Sequence, residues 1–511
     1  MGMVCDGIVR SLSAGRFPGW FFYRASLNLL IAAVVAIAFL AGCSPKKGET
    51  ADVIILHTGR MRGNVYPLSL QSIAPLQHYQ YLAGYVRKVR EEAAQTGAKV
   101  LLVDLGDSLT GSFAAQATDS ENMVTFFNDT GYDAVILSNL DYAVQTKTLA
   151  KLKAKVLNPF QDASGEPATQ GTDIGARIDV GNVPVFLLAN FYGETSRGEF
   201  PDRFPAWFGT TTSDVTPVRD YQKILAGLGQ KPGEGLTLLS WMKFESPKEP
   251  PENFLEQLRR DGVDAILAHR IYGGNERDVW MASGFYDWKP PVSLNILRNN
   301  GGFALARLDL KKSGGKWKVL QHQLIPMTAN TAPADETVVG AVDRYAVPIT
   351  AADAKIADLP EAVAPGEILK IYMTALGTRP GTAAVLYSTQ SIRTGWISGE
   401  LRSSQVFNSL PWTTPIVQFS LSPEQIATVT RELNLALLKK DDAGGGTLTV
   451  TTSQFFGHLI AAKLGIDPGV FRENGQKSEF DYFVAYLKAN PEAINGAVPP
   501  TGWTLSGKIE P

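Results

Sequence analysis

The strongest constraint on this chain is a repeated alternation of short, wholly apolar runs with amphipathic stretches. Val53-Ile54-Ile55-Leu56 is followed by residues 77–95, which place Leu82, Val86, Val89 and Ala93 on one helical stripe. Val100-Leu101-Leu102-Val103 comes next, then an amphipathic stretch over 120–130 and the run Val135-Ile136-Leu137. Apolar runs without polar alternation are typical of strands covered on both faces, and helices between them supply the cover. Val183 to Ala189, Leu236 to Leu239 and Ala265 to Ala268 extend the series, with a helix expected over 251–261. From about residue 301 the pattern becomes a hairpin, Phe303 to Leu310 and Trp317 to Leu324, around Ser313-Gly314-Gly315. Residues 51–327 therefore read as an α/β domain. Residues 328–366, rich in Ala, Pro, Thr and Asp, read as an interdomain connector with one helical piece around 336–346. Residues 367–511 read as a smaller mixed α/β domain, interrupted by a tight turn at Gly444-Gly445-Gly446.

The N-terminus has a different logic. Arg10, Arg16 and Arg24 precede thirteen consecutive apolar residues, Leu29 to Ala41, which end in Gly42-Cys43-Ser44. A basic leader, a short apolar stretch and small residues read as an export signal. The stretch falls short of the ~20 residues of a membrane span, although an uncleaved N-terminal anchor remains an alternative. Leu40-Ala41-Gly42-Cys43 resembles the bacterial lipobox. That resemblance implies a signal peptide over 1–42, lipidation of Cys43, a tether over 43–50, and anchoring to the periplasmic face of the cell envelope. Ser44 is compatible with an outer-membrane destination.

Composition narrows the chemistry. The net charge of −2 argues against a nucleic-acid partner. Two Cys cannot build a disulfide scaffold or a Cys-rich zinc site, and five His limit any imidazole-based metal centre.

Four loops at the carboxyl ends of the expected strands carry polar residues: His57-Thr58-Gly59-Arg60-Met61-Arg62-Gly63, Gly106-Asp107-Ser108, Ser138-Asn139-Leu140-Asp141 and Ala268-His269-Arg270-Ile271. Ligand sites in α/β sheets favour this end. The order of these loops resembles the calcineurin-like metallophosphoesterase domain of the bacterial 5′-nucleotidase family, most closely over Leu101 to Asp141. Ile392-Arg393-Thr394-Gly395, Gly399 and Leu410-Pro411-Trp412 resemble that family's C-terminal domain. The resemblance implies a four-layer α-β-β-α sandwich followed by a smaller mixed α/β nucleotidase-type domain. It also implies a two-metal phosphohydrolase site.

Carried over position by position, the family's bridging carboxylate matches Asp107, its Asn ligand Asn139 and one His ligand His269. Its other positions are replaced. Arg60 and Arg62 stand where an Asp and a His ligand stood, Leu140 at the catalytic His, Trp241 at a strand His and Ile271 at the last His. Arginine stays protonated and cannot ligate. A unit positive charge ~4 Å from another costs about 4 kcal/mol at an effective dielectric of 20, and a dication doubles that. The expectation is that no metal cofactor is held, or at most one divalent ion (Mn, Zn, Fe or Ca) on Asp107, Asn139 and His269. Asp141 is the only acid left near the catalytic position. Arg60, Arg62, Arg270 and Arg393 are expected to contact a phosphorylated small molecule, since guanidinium forks match phosphate geometry. An envelope protein is the alternative partner, and a single-metal phosphomonoester or 5′-nucleotide hydrolase the alternative function.

Overall fold

The structure is a computed structural model. It describes residues 49–507 except 71–72, 74–77, 139–140, 142–143, 163, 193, 196–197, 200–215, 219, 232, 244–251, 271–278, 282–303, 389–390 and 496–500. The leader and Cys43 lie outside the described residues. Among the described residues no helix is long and apolar enough to cross a membrane.

The first half contains β1 (Val53–Thr58), α1 (Tyr79–Thr96), β2 (Lys99–Asp104), α2 (Phe113–Thr118), α3 (Glu121–Thr130), β3 (Ala134–Ile136) and β4 (Lys155–Leu157). It continues through β5 (Gly175–Val180), β6 (Val183–Leu188), α4 (Tyr221–Gly227), β7 (Leu236–Lys243), α5 (Glu252–Arg260), β8 (Ala265–Arg270), β9 (Val279–Met281), β10 (Ala304–Ser313) and β11 (Lys316–Pro326). Two six-stranded sheets result. One runs β11-β10-β1-β2-β3-β4, with β1 to β4 parallel. The other contains β9-β8-β7-β6-β5, with β8, β7 and β6 parallel.

The period-two alternation of the strands explains why these sheets stack. Val53 and Ile55 of β1 and Leu101 and Val103 of β2 face one way, into a core shared with Val185, Leu187, Leu236, Leu238, Ala265 and Leu267 of the other sheet. Ile54, Leu56 and Leu102 face the opposite way, against Leu82, Val86 and Val89 of α1 and Phe126 and Phe127 of α3. On the far side Phe186, Leu188, Leu239, Trp241 and Ile266 pack with Tyr221 and Leu225 of α4 and Leu258 of α5. Helix, sheet, sheet, helix is the four-layer order expected.

This layering corrects one sequence match. Trp241 does not fill space vacated by a histidine at the candidate site. It is buried in the outer, helix-covered core, while its neighbour Ser240 is out of phase with it and accepts the Asn190 N–H at 3.2 Å.

Residues 328–366 hold α6 (Glu336–Asp343), α7 (Ala346–Ala352) and β12 (Lys355–Leu359). Val338, Val339 and Val342 of α6 complete the core of α1 and α3, whereas Ile349 and Leu359 belong to the core of the following residues. The hand-over between cores thus falls between α6 and α7. Then come α8 (Pro365–Gly377), β13 (Ala384–Ser388), β14 (Gly399–Arg402), α9 (Ser403–Ser409), β15 (Pro415–Leu421), α10 (Pro423–Glu432), β16 (Leu435–Lys440) and β17 (Leu448–Ser453). The chain ends with α11 (Gln454–Leu464), β18 (Arg472–Ser478), α12 (Glu479–Ala489) and β19 (Trp503–Ser506). A third six-stranded sheet runs β18-β15-β17-β13-β16-β19. Its core also takes in Tyr66, Phe113 and Ala114 from the first half, with the Phe113 and Phe407 rings 6.2 Å apart.

The alternation in β7 is testable by urea unfolding. Trp241→Ala should cost ~3–5 kcal/mol as a large-to-small core change. Ser240→Ala, which loses one hydrogen bond, should cost ~1 kcal/mol. The reverse ranking would place these side chains on the wrong faces.

Candidate functional site

The site is built where β1 and β2 end side by side. Parallel pairing of Thr58 with Asp104 brings the two following loops together, and they bond along their length. Arg60 N donates to Gly106 O at 2.7 Å, Arg62 N to Asp107 O at 3.0 Å and Gly63 N to Ser108 O at 2.8 Å. Gly63 is required here. Its φ is +70°, and a Cβ would lie 2.6 Å from Ala115 Cβ and 2.8 Å from Ser112 Oγ.

Beneath the loops lies a carboxylate anchor. Asp104 is fully buried; its Oδ2 accepts from Thr58 Oγ1 at 2.7 Å and Ser108 Oγ at 2.9 Å, and its Oδ1 from Gly106 N at 2.9 Å. Burial, opposed by these bonds and reinforced by Asp141, raises its pKa from 3.8 to about 7.

Asp141 joins the third loop to the second. Its Oδ2 accepts from Asp107 N at 3.0 Å and Ser138 N at 2.9 Å, and its Oδ1 from Leu109 N at 2.9 Å. Burial and the neighbouring Asp107 charge push its pKa up to about 6. Both oxygens are therefore committed to backbone donors, which corrects the sequence reading of Asp141 as a remaining catalytic acid: it is a loop clamp.

The clamp presents Asp107, which is fully buried and adopts φ 55°. Arg62 Nε donates to Asp107 Oδ2 at 3.2 Å, and Arg60 Nε lies 3.8 Å from the same oxygen. Arg60 and Arg62 also occupy the left-handed region, with φ 59° and 50°. Two left-handed turns therefore align them. Three non-glycine residues in that region, at roughly 1–2 kcal/mol each, concentrate strain at one point. Arg60 and Arg62 both face this one carboxylate. Asp107 Oδ1 is buried and has no hydrogen-bond partner.

The described residues do not fit a two-metal centre. One oxygen of the would-be bridging carboxylate, Asp107 Oδ2, accepts from Arg62 and faces Arg60. Among the described residues no group of three or more His, Cys, Asp or Glu side chains is arranged to hold a metal. Position 269 lies on β8 opposite Met242 of β7. Asn139 and the side chains of His269 and Arg270 lie outside the described residues. His57 is a core residue: burial, with His322 nearby, lowers its pKa to about 3.

Arg393 belongs to a separate cluster. Parallel pairing of β13 with β17 brings the ends of these strands to one edge of the third sheet. Arg393 follows β13, exposed, with its guanidinium 4.8 Å from the centre of the Trp412 ring. Trp412 Nε1 donates to Ser391 O at 3.2 Å and fixes that ring. Of the sequence-derived residues, the structure thus unites Arg60, Arg62, Asp107 and Asp141. Sequence reading missed Asp104, although it lies in the Val-Asp-Leu-Gly-Asp run that carries the resemblance. It also missed Glu479, a buried carboxylate accepting from Tyr372, Tyr387 and Thr414, which no motif flags.

The fold and these loops can now be set beside known proteins. Protein UshA of Yersinia enterocolitica is 24% identical over 329 residues, 60% of this chain and 58% of the relative. Silent protein UshA(0) of Salmonella typhimurium is 22% identical over 334 residues, 60% of this chain and 57% of the relative. The aligned region thus spans under two thirds of these curated relatives. A 5′-nucleotidase precursor from Thermus thermophilus superposes with a TM-score of 0.56 at 16% identity, covering 86% of this chain and 96% of that one. A putative 5′-nucleotidase from Staphylococcus aureus gives 0.62 at 14% identity, covering 86% and 97%. The fold is 5′-nucleotidase-like. No family model matches it. The 5′-nucleotidase-like fold places the loops of β1, β2 and β3 together, and this chain fills them with two arginines.

The buried Asp104 gives a pH signature. Its folded pKa of about 7 lies above the 3.8 of an unperturbed carboxyl, so its contribution to stability is full below pH ~4 and is lost as pH rises through 7. In urea unfolding, Asp104→Asn should therefore gain on the wild type between pH 5 and pH 8. A stability difference independent of pH would contradict this.

Proposed function

We propose that this is an exported, lipid-anchored 5′-nucleotidase-like protein that binds a phosphorylated ligand and does not hydrolyse it through a two-metal centre. One observation carries the reading: Arg60 and Arg62, both in left-handed conformations, converge on Oδ2 of buried Asp107. Side chains that merely filled vacated volume would give no reason to hold three non-glycine residues in that region. Guanidinium groups there supply fixed positive charge to a phosphate without a metal. Arg270 ends β8 and is assigned to the ligand by its sequence motif, and Arg393 contributes from the third sheet if the ligand spans both parts. The leader sequence supports export, anchoring through Cys43 and a position at the periplasmic face of the envelope. Failing a small ligand, the remaining role is a scaffold for an envelope protein.

The orphaned Asp107 Oδ1 favours a second reading, a hydrolase with a single divalent metal on Asp107, Asn139 and His269. Asp141 would not serve as its acid, because its oxygens are engaged.

The two readings separate in one preparation. Protein purified from medium supplemented with Mn, Zn, Fe and Ca should carry substoichiometric metal. Its phosphomonoester and 5′-nucleotide hydrolysis should match that of Asp107→Ala. Stoichiometric metal together with hydrolysis abolished by Asp107→Ala would establish the single-metal enzyme instead.

A further inference from the structure

We propose that Asp107 reads a proton on the ligand, making the Arg60–Arg62–Asp107 group a metal-free site for hydrogen phosphate that rejects sulfate. The inference rests on the phosphate-binding reading above and assigns its specificity.

The two oxygens of Asp107 have different environments. Oδ2 receives Arg62 Nε at 3.2 Å and lies 3.8 Å from Arg60 Nε. Oδ1 is buried and accepts nothing. A buried carboxylate oxygen without a donor carries its full desolvation cost, so a ligand that supplies a donor there is strongly favoured. Arg62 meets Asp107 only through Nε, and among the described residues its Nη groups have no hydrogen-bond partner. Its side chain is 20% exposed and that of Arg60 21%, against 1% for Asp107. The arginines therefore lie on the solvent side and the carboxylate behind them.

Donors on the solvent side and one hungry acceptor behind them define the ligand. It must present anionic oxygens to the Arg62 Nη groups and one O–H to Asp107 Oδ1. Inorganic hydrogen phosphate does both. Sulfate has no proton at neutral pH and would set an oxyanion oxygen against Oδ1, a like-charge contact with no hydrogen bond. A phosphomonoester has the proton only as a monoanion, and its second pKa is ≈ 6. At pH 8 it is excluded for the same reason as sulfate, whereas at pH 5 it is admitted. The site so built prefers free phosphate to its esters under neutral and alkaline conditions.

The test is calorimetric titration of the full chain, with EDTA present, against inorganic phosphate, sulfate and methyl phosphate at pH 8 and pH 5. The wild type should bind phosphate at least about tenfold more tightly than sulfate or methyl phosphate at pH 8, about 1.4 kcal/mol. Methyl phosphate should recover at pH 5 relative to inorganic phosphate, a ratio that cancels the protonation of Asp104 and Asp141 beneath Asp107. Asp107→Asn, which removes the negative charge, should bring the phosphate and sulfate affinities within about threefold of each other. Arg62→Gln should weaken phosphate about tenfold or more. Equal wild-type affinity for phosphate and sulfate would overturn the role of Asp107 while leaving an arginine anion site standing. Absence of binding by any of the three would overturn that site as well. Phosphate binding that appears only with added Mn and is abolished by EDTA would overturn the metal-free assignment. Wild-type selectivity is the primary readout, so the outcome does not depend on either variant folding.

Discussion

The first half depends on its central strands, β1, β2, β3, β6 and β7, being covered on both faces. Their buried lengths are then mainly apolar, and charged groups collect where the strands leave the sheet. Functional groups are thereby confined to the strand ends. The parallel pairing of β1, β2 and β3 collects those ends at one edge. Position 241 illustrates the strictness of the rule. An indole one step out of phase with Leu238 is committed to the outer helical layer and cannot serve the edge where the loops meet.

At that edge the order of construction runs from buried to exposed. Asp104 fixes the turn after β2, Asp141 ties that turn to the loop after β3, and Asp107 is held in place by both. Only then do Arg60 and Arg62 have something to close upon. Two of the three carboxylates accept donors at both of their oxygens and act as parts of the scaffold. Asp107 alone has unused capacity. The chemistry open to the site follows from that imbalance: two guanidinium groups face one carboxylate that keeps a spare acceptor.

Much of this was legible in the sequence. Apolar runs and amphipathic stretches placed β1, β2, β3, β6 and α1, α3 and α5 within a residue or two, because burial on both faces leaves few alternatives. The loop residues Arg60, Arg62 and Asp107 were likewise found by their order. What sequence could not supply was phase and partner. Trp241 was matched by spacing along a strand, and spacing does not say which face a side chain takes when both faces are apolar. Asp141 looked like a surviving acid because its type fits one; only the three backbone N–H groups around it reveal its job. Asp104 and Glu479 were overlooked because a buried carboxylate satisfied by hydroxyls from distant segments leaves no local pattern.

The loop that carries the arginines does not end at the site. It runs directly into Tyr66, which with Phe113 and Ala114 is packed into the core of the third sheet against Ile349 and Phe407. The first half is therefore not self-sufficient in its own wrapping. Severed from the residues beyond α7, it would carry a bare aromatic patch a few residues from Arg62 and Gly63. The ordering of the site loop and the cohesion of the whole molecule are thus one mechanical problem, and a change in either half is felt in the backbone that aims the arginines.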